Sequence, residues 1–279
     1  MIAMRSRDIV ISIIVVVALM AIAAMMQLLV GDVPVEIFRF PLNLIIAAIW
    51  LYIIVELYRS RKRNAVAQYL LSPMATWLSV SIVVLTCVVM GLQRRPAVMS
   101  FPFAMATLFV LTHLAMVILR GWRNSSGIRW RFIFNHIGLW LVLFAGFWGA
   151  PDSDILRTVV YADAPTDEAF YEDGRMKLLG YEMQLMDFRA DFFDNGTPSA
   201  YEADVLIDDS KVTLSVNHPY ARTWSEDIYL TSYEPHNGGV VCVLQVVRHP
   251  WKWPMAIGII MLIAGAVLMF IQGPKKQSV

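Results

Sequence analysis

Apolar residues come in long unbroken runs over most of this chain and in short alternating ones over a single later stretch. Covering roughly 30 Å of hydrocarbon takes about 20 apolar residues in a helix. Six runs meet that length: about 9–30, 41–58, 73–92, 101–119, 132–150 and 254–272. Residues 151–253 follow a different rule. In "KLLGYEMQLMDF", Leu179, Tyr181, Met183 and Leu185 recur at period two, the signature of a strand with one buried face. "AYEADVLI", "KVTLSV", "DIYLTSY" and "VVCVLQVV" are rich in β-branched and aromatic residues, and "DNGTP" and "DDS" carry turn chemistry. The pattern predicts an α-helical polytopic membrane protein of six transmembrane helices with an inserted antiparallel β domain of about six strands, closed as a sandwich or open barrel. Its parts are two N-terminal helices (1–70), a three-helix core (71–150), the β domain (151–253) and a final helix with its tail (254–279).

Composition agrees. Of 279 residues, 58% are hydrophobic and 16% charged, and the mean hydropathy is +0.58. Arg5 and Arg7 ahead of the first run raise the possibility of a signal peptide, but a run beyond 20 residues favours a retained anchor. Charge then orients the spans. Arg5, Arg7, the run "RSRKR", the loop "RGWRNSSGIRWR" and Lys275–Lys276 place twelve positive residues on one side. The opposite short loops hold Arg39, Arg94 and Arg95. The positive-inside bias puts both termini in the cytoplasm and the β domain outside, which in a bacterium is the periplasm. A net charge of +1 argues against a nucleic-acid partner. Cys87 in a span and Cys242 in the outer domain are not expected to pair.

Few residues are candidates for chemistry. His136 stands in the apolar run 132–150, about 7–8 Å beyond Arg131 along a helix, and an ionisable group there needs a partner or a task. Leu139, Trp140, Leu143 and Phe147 share its face at helical spacing. Such a wall with one nitrogen ligand suits a flat, metal-centred macrocycle; it equally suits an interhelical hydrogen bond. His113 in the preceding span lies at similar depth, about 10 Å from the same boundary. It is either a second ligand or a partner of Thr112 or a neighbouring helix. Glu56 and Arg59 form a structural (i, i+3) pair. The sixteen methionines read as adaptable filling. His218, His236 and His249 lack metal-ligand spacing. No motif for a catalytic triad, a phosphate loop or a zinc protease occurs, so no catalytic residue is assigned. Gly258 and Gly265, seven apart, offer a small-residue face for close helix approach, within the chain or to another subunit.

Four segments in order resemble the ResB (CcsB) family of System II cytochrome c biogenesis proteins: "FNHIGLWLVLFAGFWGAPD", "LGYEMQLMDFRADFFDNGTPSAYEADVLI", "VNHPY" with "DIYLTSY", and "VVRHPWKWPMAIGIIMLIAGAVLMF". Together they cover about 130–272, and residues 1–70 are similar to the two extra spans of a Bacteroidetes-like version. The resemblance implies a subunit of the bacterial inner membrane that works with a CcsA-type multispan partner to export haem b and attach it to apocytochrome c. It implies that His136 is a haem axial ligand and that Asn217 and Pro219 form a signature turn; His113 has no family counterpart. The outer insertion is shorter than in many relatives. Trp224–Ser225–Glu226 stand where a glycine is expected, and Leu230 replaces a glutamine. The tryptophan-rich haem-handling segment of the partner is missing, so any synthase activity is shared rather than autonomous. Two other readings stay open: a b-type electron-transfer subunit using His113 and His136, and a haem-free assembly scaffold.

Overall fold

A computed structural model describes residues 6–92, 100–125, 127–196, 198–236 and 239–272. Arg5, Arg94, Arg95, Lys275 and Lys276, which enter the charge argument, lie outside them. The chain divides into two compact units, Met1–Pro151 with Lys252–Val279, and Asp152–Trp251.

The first unit is helical: α1 (Ser6–Val30), α2 (Leu42–Arg59), α3 (Ala65–Leu70), α4 (Pro73–Leu92), α5 (Phe101–Gly121), α6 (Trp130–Gly149) and α7 (Lys252–Gln272). All but α3 are long and apolar enough to cross a membrane, and each matches an expected run to within a few residues. Their outward surfaces are apolar, as lipid requires: Ile14, Val17, Leu85 and Ile260 are all exposed. Helix ends fall where the chain supplies caps. Gly31, at φ +83°, ends α1 and donates its amide to the Gln27 carbonyl at 3.0 Å. The Ser100 hydroxyl accepts from the Phe103 amide to open α5. The short α3 was not foreseen. Asn64 caps it, its Oδ1 accepting from Val66 N at 2.9 Å and Ala67 N at 3.2 Å. A two-strand hairpin, β1 (Arg123–Asn124) with β2 (Gly127–Ile128), joins α5 to α6.

The second unit holds β3 (Asp154–Val160), β4 (Thr166–Phe170), β5 (Met176–Phe192), β6 (Pro198–Ile207), β7 (Ser210–Ser215), β8 (Tyr220–Thr223), β9 (Glu226–His236) and β10 (Gly239–Arg248). Its one antiparallel sheet has the order β7-β6-β5-β4-β3-β10-β9-β8. The strand count is therefore eight, not six. Beyond the five segments read as strands, the described residues add the four-residue β8 and also β3 and β4, in "DILRTVV" and "TDEAF", where buried Asp154 and exposed Ile155 and Phe170 run against the apolar alternation. The sheet curls on itself. Tyr201 of β6 reaches β9, donating to the Thr231 carbonyl at 3.0 Å, and Ser215 at the end of edge strand β7 bridges His218 in the turn that leads to β8, the other edge. A single core fills the curl, with Leu156, Met183, Leu214, Ile228 and Leu244 fully buried. As period two predicts, Leu179, Tyr181, Met183 and Leu185 all point into it.

Candidate functional site

Helix α6 presents three different faces. One meets α7 at backbone distance: a Cβ on Gly258 would lie 2.9 Å from the Gly138 carbonyl oxygen, and one on Gly265 would lie 2.7 Å from the Asn135 amide nitrogen. The small-residue face of the last span is thus used within the chain. A second face carries Trp140, Phe144 and Trp148 into a stack with Trp50 of α2. Trp50 and Trp140 are parallel to within 2° at 6.4 Å, and Trp140 and Phe144 stand 4.5 Å apart. The indoles also fix the helices in depth. Trp140 Nε1 donates to the Leu111 carbonyl at 3.1 Å, and Trp50 Nε1 to Thr112 Oγ1 at 3.2 Å. Asn43, fully buried, donates to the Trp148 carbonyl at 2.9 Å.

His136 belongs to the third flank with Leu139, Leu143 and Phe147. Its Nδ1 lies 2.9 Å from the Phe132 carbonyl one turn earlier, and the Phe132 ring stacks on the imidazole at 3.9 Å. A carbonyl oxygen only accepts, so Nδ1 carries the proton and Nε2 keeps its lone pair. Leu139 is exposed, and His136, Leu143 and Phe147 are half-buried. Trp140 is turned toward α5 instead.

His113 is fastened in the same way to a different carbonyl, with Nδ1 2.8 Å from Leu70 O of α3, and its side chain is buried. The Trp140–Leu111 bond sets the relative depth of the two histidines. His113 is two residues along α5 from Leu111 and His136 four residues back along α6 from Trp140. At 1.5 Å per residue they differ by about 3 Å in depth. An apolar cavity of about 560 Å³ lies between α1, α2, α3 and α5, bounded by Val15, Leu57, Tyr69 and Thr112; neither histidine lines it.

In the β unit, Asn217 adopts φ +63°, a conformation asparagine tolerates, and with His218 and Pro219 turns the chain from β7 to β8. His249 Nδ1 is 2.8 Å from Ser153 Oγ. Among the described residues no group of three His, Cys, Asp or Glu side chains is placed to hold a metal. Charge is instead paired. Glu226, buried, lies between Arg222 at 3.2 Å and Arg248, and Arg222 stacks over the Tyr181 ring at 3.7 Å. Burial pushes the Tyr181 phenol up, and the Glu226 charge adds to that. Asp204 accepts from Thr213 at 2.7 Å and pairs with Lys211 and Arg189, which holds its carboxyl down at about 2. Burial raises the Cys242 thiol to about 12; it and Cys87 are free.

Six apolar helices and a β domain spliced between the last two define a polytopic membrane protein whose histidine-bearing fifth span leads directly into its large extramembrane domain. Within it, residues 127–243 match the ResB-like family model. The match opens just before α6 and runs into β10, taking in His136 and most of the β domain. A solved structure described as Cytochrome c Heme Lyase CcmF is similar at a TM-score of 0.39 and 12% identity, over 94% of this chain and 45% of that one. The chain thus spans less than half the length of that protein. No curated protein sequence matches the chain at significant similarity.

Sequence reasoning passed over Asn43, Trp50 and Asn135. A lone asparagine in the second span, "PLNLIIAAIW", was the available signal for the first, because a buried amide in lipid has to find a carbonyl.

Proposed function

We propose that the chain is a ResB-type component of cytochrome c biogenesis, taking haem b as cargo and working with a CcsA-type membrane partner toward apocytochrome c. The observation that carries this reading is the ResB-like match, which begins at Gly127 and includes both the His136 helix and the β domain. The chemistry of His136 is compatible with it. An imidazole whose Nδ1–H is held by a carbonyl presents Nε2 to iron in a fixed tautomer, the arrangement that orients histidine ligands and raises their basicity. Leu143 and Phe147 supply apolar surface for the macrocycle. Trp140, pinned to Leu111, serves this reading as a pillar that sets the helix. The chain acts from a bacterial inner membrane with both termini cytoplasmic and the β domain periplasmic. It contributes binding and presentation to a synthase activity shared with the partner.

The test is haem absorbance of the complex purified after co-expression with a CcsA-type partner. His136→Ala is expected to lower bound haem at least several-fold at unchanged complex yield; unchanged haem content overturns the assignment. The matching depth of His113 keeps a second reading open, that of a self-contained b-type cytochrome. It requires a redox-active haem in the chain purified alone, lost in both His113→Ala and His136→Ala.

A further inference from the structure

The face of the sheet turned away from its core is not uniformly polar. At one end Ile155, Phe170, Met176 and Leu178 are 58%, 42%, 56% and 57% exposed. Strand pairing gathers them. Phe170 lies opposite both Arg157 and Met176, Leu178 lies opposite Glu168 on the next strand, and Ile155 is two residues from Arg157. Four large apolar side chains on adjacent strands form a patch, where single exposed ones would need no explanation. Arg157 lies among them, exposed and without an ion pair among the described residues. Trp224, also exposed, sits in the β8–β9 turn near this end, next to Ser225, whose carbonyl accepts from the His249 amide at 2.6 Å.

This is the end at which the chain enters and leaves the domain. Asp154 follows α6 by five residues, and Arg248 precedes α7 by four. At no more than about 3.5 Å per residue, these links reach roughly 18 and 14 Å, and the 3-10 turn Ala150–Asp152 shortens the first. They are also fastened to each other: Trp251 Nε1 donates to Asp152 Oδ2 at 2.7 Å, and Ser153 Oγ meets His249 Nδ1. Tethers this short leave the patch within reach of the headgroup layer of a membrane that α6 and α7 cross. Apolar side chains around one unpaired cation are what that layer accommodates, with acyl chains for the first and phosphate for the second.

We propose that this face of the β domain rests on the bilayer leaflet from which the domain emerges, with Ile155, Phe170, Met176 and Leu178 entering the headgroup–acyl boundary and Arg157 meeting a lipid phosphate. The proposal depends on the spans and not on the haem reading. It is tested on the full chain in nanodiscs of phosphatidylcholine and phosphatidylglycerol. A bimane label is placed at Ile155→Cys, Leu178→Cys or, as control on edge strand β7, Lys211→Cys, in a Cys87→Ser background; Cys242 is buried. Brominated phosphatidylcholine is expected to quench the labels at 155 and 178 at least twofold more than at 211, and Arg157→Glu to reduce that difference. Labels at 155 and 178 that behave like the one at 211 overturn the proposal. So does shielding that arises only on adding a CcsA-type partner, which makes the face a protein-docking surface.

Discussion

Ion pairing in the β domain makes Asp204 its acid-sensitive point. The Thr213 hydroxyl, then Lys211 and Arg189, stabilise the carboxylate only in the folded chain and pull it from 3.8 to about 2. A depressed acid contributes stability that is present above its unfolded value and lost as pH falls through the folded one. Tertiary fluorescence should therefore be steady from pH 7 to about 5 and fall between about pH 4 and 2. Asp204→Asn should flatten that limb, and an unchanged acid limb would remove Asp204 from the account. The same residue-by-residue view separates the histidines. Both lend Nδ1 to a carbonyl, but His136 stays half-exposed on a flank while His113 is enclosed. Spacing anticipated that the two differ little in depth, which the Trp140–Leu111 bond puts at about 3 Å. Enclosure was invisible to it, because the Leu70 carbonyl belongs to a helix that sequence reasoning missed.

Among the elements, α6 and α7 form the closest pair, and Gly138 and Gly258 permit it. Gly258→Leu puts a branched side chain where even a Cβ would meet Val142 at 2.8 Å and the Gly138 carbonyl at 2.9 Å. The two helices must then separate, and the bundle is expected to lose several degrees of thermal stability in detergent, while Gly91→Leu, at a site with open space, leaves it unchanged. Equal melting of both variants would count against close packing as a source of stability. The spans were legible because lipid imposes a length on an apolar run. The glycine face was legible as a face, though not as to its partner. Strand β5 announced itself through alternation, and β6, β7, β9 and β10 through β-branched and aromatic residues. Strands β3 and β4 did not, because Asp154 is buried while Ile155 and Phe170 face outward, and β8 and α3 are too short to establish a period.

For the molecule as a whole, the proposed topology of six crossings puts both termini on one side and the β domain on the other. The cationic loops set the sign of that arrangement under the positive-inside bias. Alkaline phosphatase fused after Asp209 in the full-length gene should be active in a bacterial host, and the same enzyme fused after Gln272 inactive; the reverse pattern would invert the assigned orientation. The ResB-like portion accounts for His136 and the β domain but not for α1 to α5 or for α7. Those helices supply Asn43, Trp50 and the Leu111 carbonyl, which meet Trp148 and Trp140 of α6 and fix it in depth and rotation.

Asp154 and Arg248 are direct partners across β3 and β10, so the first and last residues of the β domain stand side by side. A domain whose ends meet can be spliced into a helical hairpin without prying its two arms apart. The α6–α7 contact consequently asks nothing of how long the excursion between them is. Extramembrane segments of very different size can be carried on one and the same pair of spans, and gain or loss of strands far from that seam leaves the glycine contact untouched.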